Sequence, residues 1–185
     1  MHNNALLVID YSNDFVDDKG ALTCGEAGQA LDKHIVKQIE RALYLDEFIF
    51  ICNDEHKDHD RYDPEALLFP PHNIKGSWGA ELYGKSGEML RELLATGNER
   101  VIYLPKTRFS AFFATPLDAM LRARKGHQLT VTGVCTDICV LHTVIDAIYK
   151  HYSVAVVENC CATCMPHGQE WAIAHMRDCL GAEII

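Results

Sequence analysis

The stretch VTGVCTDICVLHTVID, residues 131–146, decides the fold. Its apolar start is typical of a buried strand, which runs through a glycine into a helix with Cys139 in the opening turn. Backbone N–H groups at a helix N-terminus have no partner within the helix, and the helix dipole is positive there, so a thiolate is stabilised. Cys139 is therefore a candidate nucleophile, and a buried structural cysteine is the alternative interpretation.

Short apolar runs alternate with helical patterns along the rest of the chain. The strand candidates are residues 5–10, 48–53, 100–104, 128–132 and 154–157, and the helix candidates are residues 28–45, 88–96, 116–125, 136–152 and 168–180. The spacing leaves room for crossover helices, so the alternation predicts a parallel sheet in one α/β domain covering residues 1–185. Residues 54–87 break the pattern as a long polar loop, and such loops are usually functional.

Composition limits the classes of function. A chain of 185 residues with 48% hydrophobic residues can bury one core without disulfides, and we expect its eight cysteines to be mostly reduced. The net charge of −9 argues against a nucleic-acid or membrane partner and favours a small-molecule ligand. Neither a signal-peptide pattern nor an apolar run long enough to span a bilayer is present, so we expect a cytoplasmic protein.

Four reactive residue types follow predicted strands. Ligands of an open parallel sheet bind beyond the carboxyl ends of its strands, where we expect Asp10, Asp54, Lys106 and Cys139 to meet. A carboxylate beside a thiol accepts its proton, and a lysine balances the negative charge. Taken singly, Asp10 could be a turn former and Lys106 a surface charge. Together with Cys139 they form a candidate triad, in which we expect the pKa of the thiol to lie below about 8.5.

Five segments make the chain recognisable as similar to a known family. They are VIDYSNDF at residues 8–15, NDEH at 53–56, LFPPHNIKG at 68–76, PKTRFSAF at 105–112 and GVCTDICVLHTVIDA at 133–147. On these segments the chain resembles the isochorismatase-like cysteine hydrolases, and among them most closely the bacterial nicotinamidases, also called pyrazinamidases. The resemblance implies a Rossmann-like three-layer αβα sandwich with a six-stranded parallel sheet.

The resemblance also implies a chemistry. It assigns the catalytic roles to Asp10, Lys106 and Cys139, and it implies a cis peptide between Val134 and Cys135. The backbone amides of Cys135 and Cys139 would then form the oxyanion hole. The implied reaction is the hydrolysis of nicotinamide to nicotinate and ammonia in NAD salvage, with pyrazinamide as a further substrate, carried out by a homo-oligomer.

A second set of residues has metal-ligand character. Asp54 and His56 lie on the same side of an extended segment, and His72 follows in the same loop. Mixed imidazole and carboxylate ligands suit Zn²⁺, Mn²⁺ or Fe²⁺. The resemblance nominates Glu65 as the fourth ligand, and His59 is a competing candidate. Asp54, His56 and His72 together favour a nicotinamidase over the alternative of a related amidase that lacks the metal.

Aromatic residues near these motifs could bind a flat heteroaromatic ring. The resemblance supports Phe15 and Phe69 as stacking walls, and Phe109 and Trp78 are weaker candidates.

Two further motifs are weaker. Residues from Gly79 to Ser86, GAELYGKS, match the phosphate-loop pattern and leave a nucleotide-binding module as an alternative of a different class. No strand is predicted directly before Gly79, which argues against it. Cys160, Cys161 and Cys164 suggest a zinc or redox C-x-x-C site, but no second such pair accompanies them.

Overall fold

The computed structural model describes residues 4–185 and contains a six-stranded parallel sheet. The strands follow the spatial order β3-β2-β1-β4-β5-β6, and every adjacent pair is parallel. Their bounds are β1 Ala5–Ile9, β2 Phe48–Asp54, β3 Val101–Lys106, β4 Gln128–Val134, β5 Ser153–Ala162 and β6 Glu183–Ile184. The order reverses between β1 and β4, where open α/β sheets bind their ligands.

Helices cover both faces of the sheet, so the predicted three-layer αβα sandwich is confirmed. On one face lie α1 Asn13–Val16, α2 Gly25–Gln29, α3 Asp32–Tyr44 and α4 Gly84–Ala95. On the other face lie α5 Leu117–Ala123, α6 Leu141–Tyr149 and α7 Gly168–Asp178. No helix in residues 4–185 is long and apolar enough to cross a membrane.

The central strand β1 shows why the sheet is buried on both sides. All five residues of ALLVI are buried, and alternate side chains face opposite layers. Leu7 and Ile9 pack in the cluster that contains α6, whereas Leu6 and Val8 pack in the cluster that contains α3. A continuous apolar run is therefore the expected sequence of this strand.

The junction after β4 requires a glycine. Gly133 has a φ of 118°, and a Cβ there would lie 1.9 Å from the carbonyl oxygen of Ile9, so only glycine fits. The Val134–Cys135 peptide is cis, as the resemblance implied. The predicted helix 136–152 begins as a π-helical turn, Thr136–Val140, and continues as α6. Cys139 therefore lies in a π-helical turn that precedes the α-helix.

Candidate active site

The structure brings the three residues of the candidate triad together at the switch point of the sheet. Asp10 directly follows β1 with a φ of 50°, Lys106 is the last residue of β3, and Cys139 follows β4. All three are almost completely buried. A carboxylate oxygen of Asp10 and the Cys139 sulfur lie within 4.8 Å of each other. Proton transfer between these two groups therefore needs only a small approach.

Lys106 links two buried carboxylates. Its Nζ lies 2.6 Å from Asp10 Oδ2 and 2.6 Å from Asp54 Oδ1. It also donates a hydrogen bond of 3.1 Å to the carbonyl oxygen of Arg108. The Asp54 backbone N–H donates to Asp10 Oδ1 at 2.7 Å, so Asp10 is held from two sides. With three oxygen partners, the buried ammonium is fully compensated.

The two carboxylates differ in acidity. Burial and the nearby charge of Asp54 raise the pKa of Asp10 to about 7, although Lys106 opposes the shift. Burial also acts to raise the pKa of Asp54, but Lys106 and His56 outweigh it and lower that pKa. Asp10 is thus the carboxyl group that exchanges a proton near neutral pH, and Asp54 stays ionised.

The expectation of an acidic Cys139 thiol is wrong for the resting site. Burial raises the pKa of Cys139 well above its ordinary value, and the attraction of Lys106 does not compensate. Lys106 already faces two carboxylates, and the negative charges of Asp10 and Asp54 further disfavour a thiolate. To act as a nucleophile, the neutral thiol would have to transfer its proton, and a carboxylate oxygen of Asp10 lies within 4.8 Å of the Cys139 sulfur.

Next to the triad, Asp54, His56, Glu65 and His72 converge on one point. We call these four buried residues the ligand group, because one potential ligand atom from each lies within 4.8 Å of all the others. The Nε2 atom of His56 lies 3.7 Å from Asp54 Oδ2 and 3.9 Å from Glu65 Oε2. The Nε2 atom of His72 lies 4.0 Å from Glu65 Oε2. These separations are too long for hydrogen bonds and leave room for a cation between the atoms.

Hydrogen bonds behind the two histidines orient them. The Nδ1 atom of His56 lies 2.7 Å from Asp63 Oδ2, and the Nδ1 atom of His72 lies 2.9 Å from the carbonyl oxygen of Pro70. When each Nδ1 carries the proton, each Nε2 offers a lone pair to the centre of the group. Within residues 4–185, the buried His56 Nε2 and Glu65 Oε1 have no hydrogen-bond partner. The side chains therefore fit a divalent cation, which would satisfy these atoms.

The structure separates the two candidates for the fourth ligand. Glu65 is buried in a short 3₁₀ helix, Glu65–Leu67, and its carboxylate joins the ligand group. The His59 side chain is 88% exposed and lies beside Asp58. Sequence reasoning missed Asp63, which orients His56; its position two residues before Glu65 in the same loop was the available signal.

An apolar cavity of about 180 Å³ opens onto both sets of residues. Phe15, Phe69 and Phe109 line it together with Cys139 and part of the ligand group. The Phe69 ring meets the Phe109 ring edge-on, with centroids 6.5 Å apart. Trp78 does not line this cavity, and 46% of it is exposed. The cavity suits a small flat ring whose reactive group reaches Cys139.

The phosphate-loop motif has a structural role instead. The N-terminus of α4 is occupied by the carboxylate of Asp32, which accepts hydrogen bonds from the backbone N–H groups of Lys85 at 3.0 Å and Ser86 at 2.9 Å. The Ser86 hydroxyl donates to the same carboxylate at 2.6 Å. A phosphate would need these donors, so the geometry argues against a nucleotide-binding module.

The C-x-x-C motif does not form a site of its own. Cys161 lies in β5 and is buried, with its sulfur 3.9 Å from the carbonyl oxygen of Val131. Cys164 lies after β5 and is exposed. All eight cysteines are free thiols.

Known proteins are similar to this chain in fold and in sequence. Residues 4–185 match the isochorismatase domain family. The uncharacterized isochorismatase family protein PncA of Bacillus subtilis is 42% identical over 180 residues, 97% of each chain. The crystal structure of nicotinamidase/pyrazinamidase PncA from B. subtilis has a TM-score of 0.95 at 40% identity, covering 100% of this chain and 99% of that one.

A second solved structure is similar to this chain over nearly the same length. The pyrazinamidase/nicotinamidase of Streptococcus mutans UA159 has a TM-score of 0.94 at 41% identity, covering 98% of this chain and 99% of that one. The chain belongs to the isochorismatase family, which confirms the resemblance predicted from its motifs. These similar structures are those of enzymes that hydrolyse amides.

Proposed function

We propose that this protein is a nicotinamidase that hydrolyses nicotinamide to nicotinate and ammonia, and that it also accepts pyrazinamide. The observation that supports the proposal is the apolar cavity, which is lined by Cys139 and by Asp54, Glu65 and His72 of the ligand group and has room for a single aromatic ring. The solved relatives named as nicotinamidases and pyrazinamidases support the same substrate class.

In the acylation half-reaction, Asp10 accepts the proton of Cys139 while the sulfur attacks the carboxamide carbon. The carbonyl oxygen becomes an oxyanion, which the backbone amides of Cys135 and Cys139 stabilise. Asp10 then returns the proton to the leaving nitrogen, so ammonia departs and a thioester remains on Cys139. Its pKa of about 7 suits Asp10 to both transfers.

In the deacylation half-reaction, Asp10 removes a proton from water, and the resulting hydroxide attacks the thioester carbon. The product leaves as the carboxylic acid and loses the second proton of the water to solvent, which gives nicotinate, and Cys139 regains its proton from Asp10. Lys106, with its two contacts of 2.6 Å, holds Asp10 in place and balances the charge of Asp10 and Asp54 throughout.

The ligand group would hold one divalent transition metal, Zn²⁺, Mn²⁺ or Fe²⁺. When bound, the ion supplies Lewis acidity toward the pyridine nitrogen of the substrate and thereby helps to orient the ring. Phe15, Phe69 and Phe109 contribute apolar walls that exclude water from the ring faces.

The ligand group also argues against the alternative of a metal-free amidase. Four buried ligand-type residues, with orphaned atoms at His56 and Glu65, have no evident use in a hydrolase that works without a metal. We place the reaction in NAD salvage in the cytoplasm of the cell, and we expect the protein to be a homo-oligomer with no nucleic-acid or membrane partner.

The test is ammonia release from nicotinamide by the purified protein, before and after exhaustive chelation and after re-addition of Zn²⁺, Mn²⁺ or Fe²⁺. We expect activity that falls on chelation and returns with at least one of the metals. Full activity in protein shown by elemental analysis to be metal-free would favour the metal-free amidase. Absence of ammonia release in every metal state would refute the nicotinamidase assignment.

A further inference from the structure

Three thiols from separate parts of the chain meet beside the cavity. Cys24 immediately precedes α2, Cys135 follows β4, and Cys164 lies in the turn after β5. The sulfurs of Cys24 and Cys135 are 3.5 Å apart, and all three sulfurs lie within 4.8 Å of one another. The proposed hydrolysis uses the backbone amide of Cys135 but none of these three side chains.

The thiols of this cluster interact mainly with each other. The contact with Cys164 is the largest influence on the pKa of Cys135 and lowers it, whereas the contact with Cys24 and burial raise it. The net result is a raised pKa. The pKa of Cys164 is likewise raised, chiefly by its contact with Cys135. The Cys135 and Cys164 thiols therefore lack the acidic character of a second nucleophile, and these two are neutral as long as no cation replaces their protons.

We propose that Cys24, Cys135 and Cys164 form a binding site for a thiophilic divalent cation such as Zn²⁺, separate from the ligand group. Tetrahedral zinc with Zn–S bonds of about 2.3 Å places its sulfurs about 3.8 Å apart. The observed separations, 3.5 Å for one pair and at most 4.8 Å for the others, need only small side-chain movements to reach that value. Three sulfur ligands select a softer ion than the mixed oxygen and nitrogen ligand group does.

The binding step is an exchange of protons for a metal ion. Each of the three thiols releases one proton to solvent as its sulfur forms a bond to the cation, and the fourth coordination position stays open to water. Cys24 and Cys135 are buried, whereas Cys164 is exposed, so the ion has an entry path from solvent through Cys164. Cys135 and Cys164 also line the cavity that contains Cys139, so the bound ion would lie in the wall of the substrate cavity.

Cobalt titration tests the site, because thiolate ligation of Co²⁺ gives an intense near-ultraviolet charge-transfer band that oxygen and nitrogen ligands do not give. The titration uses the full chain under anaerobic, reducing conditions. In the wild type we expect the band to appear and to disappear when Zn²⁺ displaces Co²⁺. It should persist in His56→Ala, which disables the ligand group, and in Cys139→Ala, which removes the nucleophilic thiol.

One substitution and its matched control then test whether Cys164 is a ligand. Cys164→Ser should weaken the apparent affinity for Co²⁺ by at least about tenfold, because losing a ligand costs no less than losing an outer-shell partner. The matched control is Cys179→Ser, since Cys179 is also an exposed cysteine but lies outside the cluster, and its titration should equal that of the wild type. Circular dichroism of each variant checks folding.

Three results would overturn the proposal. They are the absence of a charge-transfer band in the reduced wild type, a band lost in Cys139→Ala, and an unchanged cobalt affinity in Cys164→Ser. Because the readout is thiolate ligation rather than ammonia release, it is independent of whether the nicotinamidase proposal holds.

Discussion

Replacing Lys106 by methionine is the perturbation whose effect the structure defines most clearly. Lys106→Met removes the cation that contacts Asp10 and Asp54 at 2.6 Å each, so both buried carboxylates lose their shared ammonium partner. Removing one partner of a buried ion pair costs about 3–5 kcal/mol of unfolding free energy. For a domain of this size, each kcal/mol shifts Tm by about 2–4 °C, so we expect a fall of about 6–20 °C.

Lys75→Met is the matched control for this substitution. The Nζ of Lys75 also lies 2.6 Å from a carboxylate oxygen, that of Glu55, but its side chain is 73% exposed. An exposed ion pair contributes little, so this variant should melt close to the wild type. Thermal and urea unfolding of chelator-treated proteins would measure both. Equal, small effects for Lys106→Met and Lys75→Met would refute the inference that burial makes the Lys106 contacts strong. Ammonia release should also fall by at least about 10²-fold in Lys106→Met, because Asp10 loses its orientation.

Three further predictions concern single sites. Burial raises the pKa of the Cys139 thiol, so the rate of its alkylation by iodoacetamide in chelator-treated protein should still increase with pH above about pH 8.5. A rate that reaches its plateau below that pH would contradict the raised pKa. Glu65→Gln should weaken metal affinity by at least about tenfold, whereas the control His59→Ala in the same loop should not weaken it. Equal metal affinities of the two variants would show that Glu65 is not a ligand. Asp32→Ala should cost about 0.5–2 kcal/mol of unfolding free energy, because α4 loses the carboxylate that caps its N-terminus. ATP should not raise the Tm of the wild type, and a Tm raised by ATP would support the nucleotide-binding alternative.

The parallel sheet was predictable from sequence because its strands are continuous apolar runs between amphipathic helices. The resemblance implied a sixth strand, but the sequence pattern did not locate β6, since Glu183–Ile184 has only two residues and pairs with β5 at the edge of the sheet. β5 extends to Ala162, beyond the predicted end at residue 157, because its pairing with β4 resumes after a register shift between Val131 and Gly133. Such a shift depends on tertiary pairing and has no local signal.

The convergence of the candidate-site residues was predictable for a related reason. Asp10, Lys106 and Cys139 each lie at or beyond the carboxyl end of a strand, and the carboxyl ends of parallel strands share one edge, so their meeting follows from topology. Their acidities were not predictable in the same way. The direction of the Cys139 shift depends on complete burial and on Lys106 being shared between two carboxylates, and neither property can be read from residue types. The choice of Glu65 over His59 likewise depended on how the long loop folds.

The measurement that tests the central claim most directly is ammonia release from nicotinamide by metal-loaded wild type, Cys139→Ala and Cys135→Ala, with folding checked by circular dichroism. Cys139→Ala should be folded and essentially inactive, because the nucleophilic sulfur is gone. Cys135→Ala should keep measurable turnover, because its proposed catalytic contribution is a backbone amide that alanine retains. Near wild-type turnover by Cys139→Ala, with Cys135→Ala inactive, would contradict the account and move the nucleophile to Cys135.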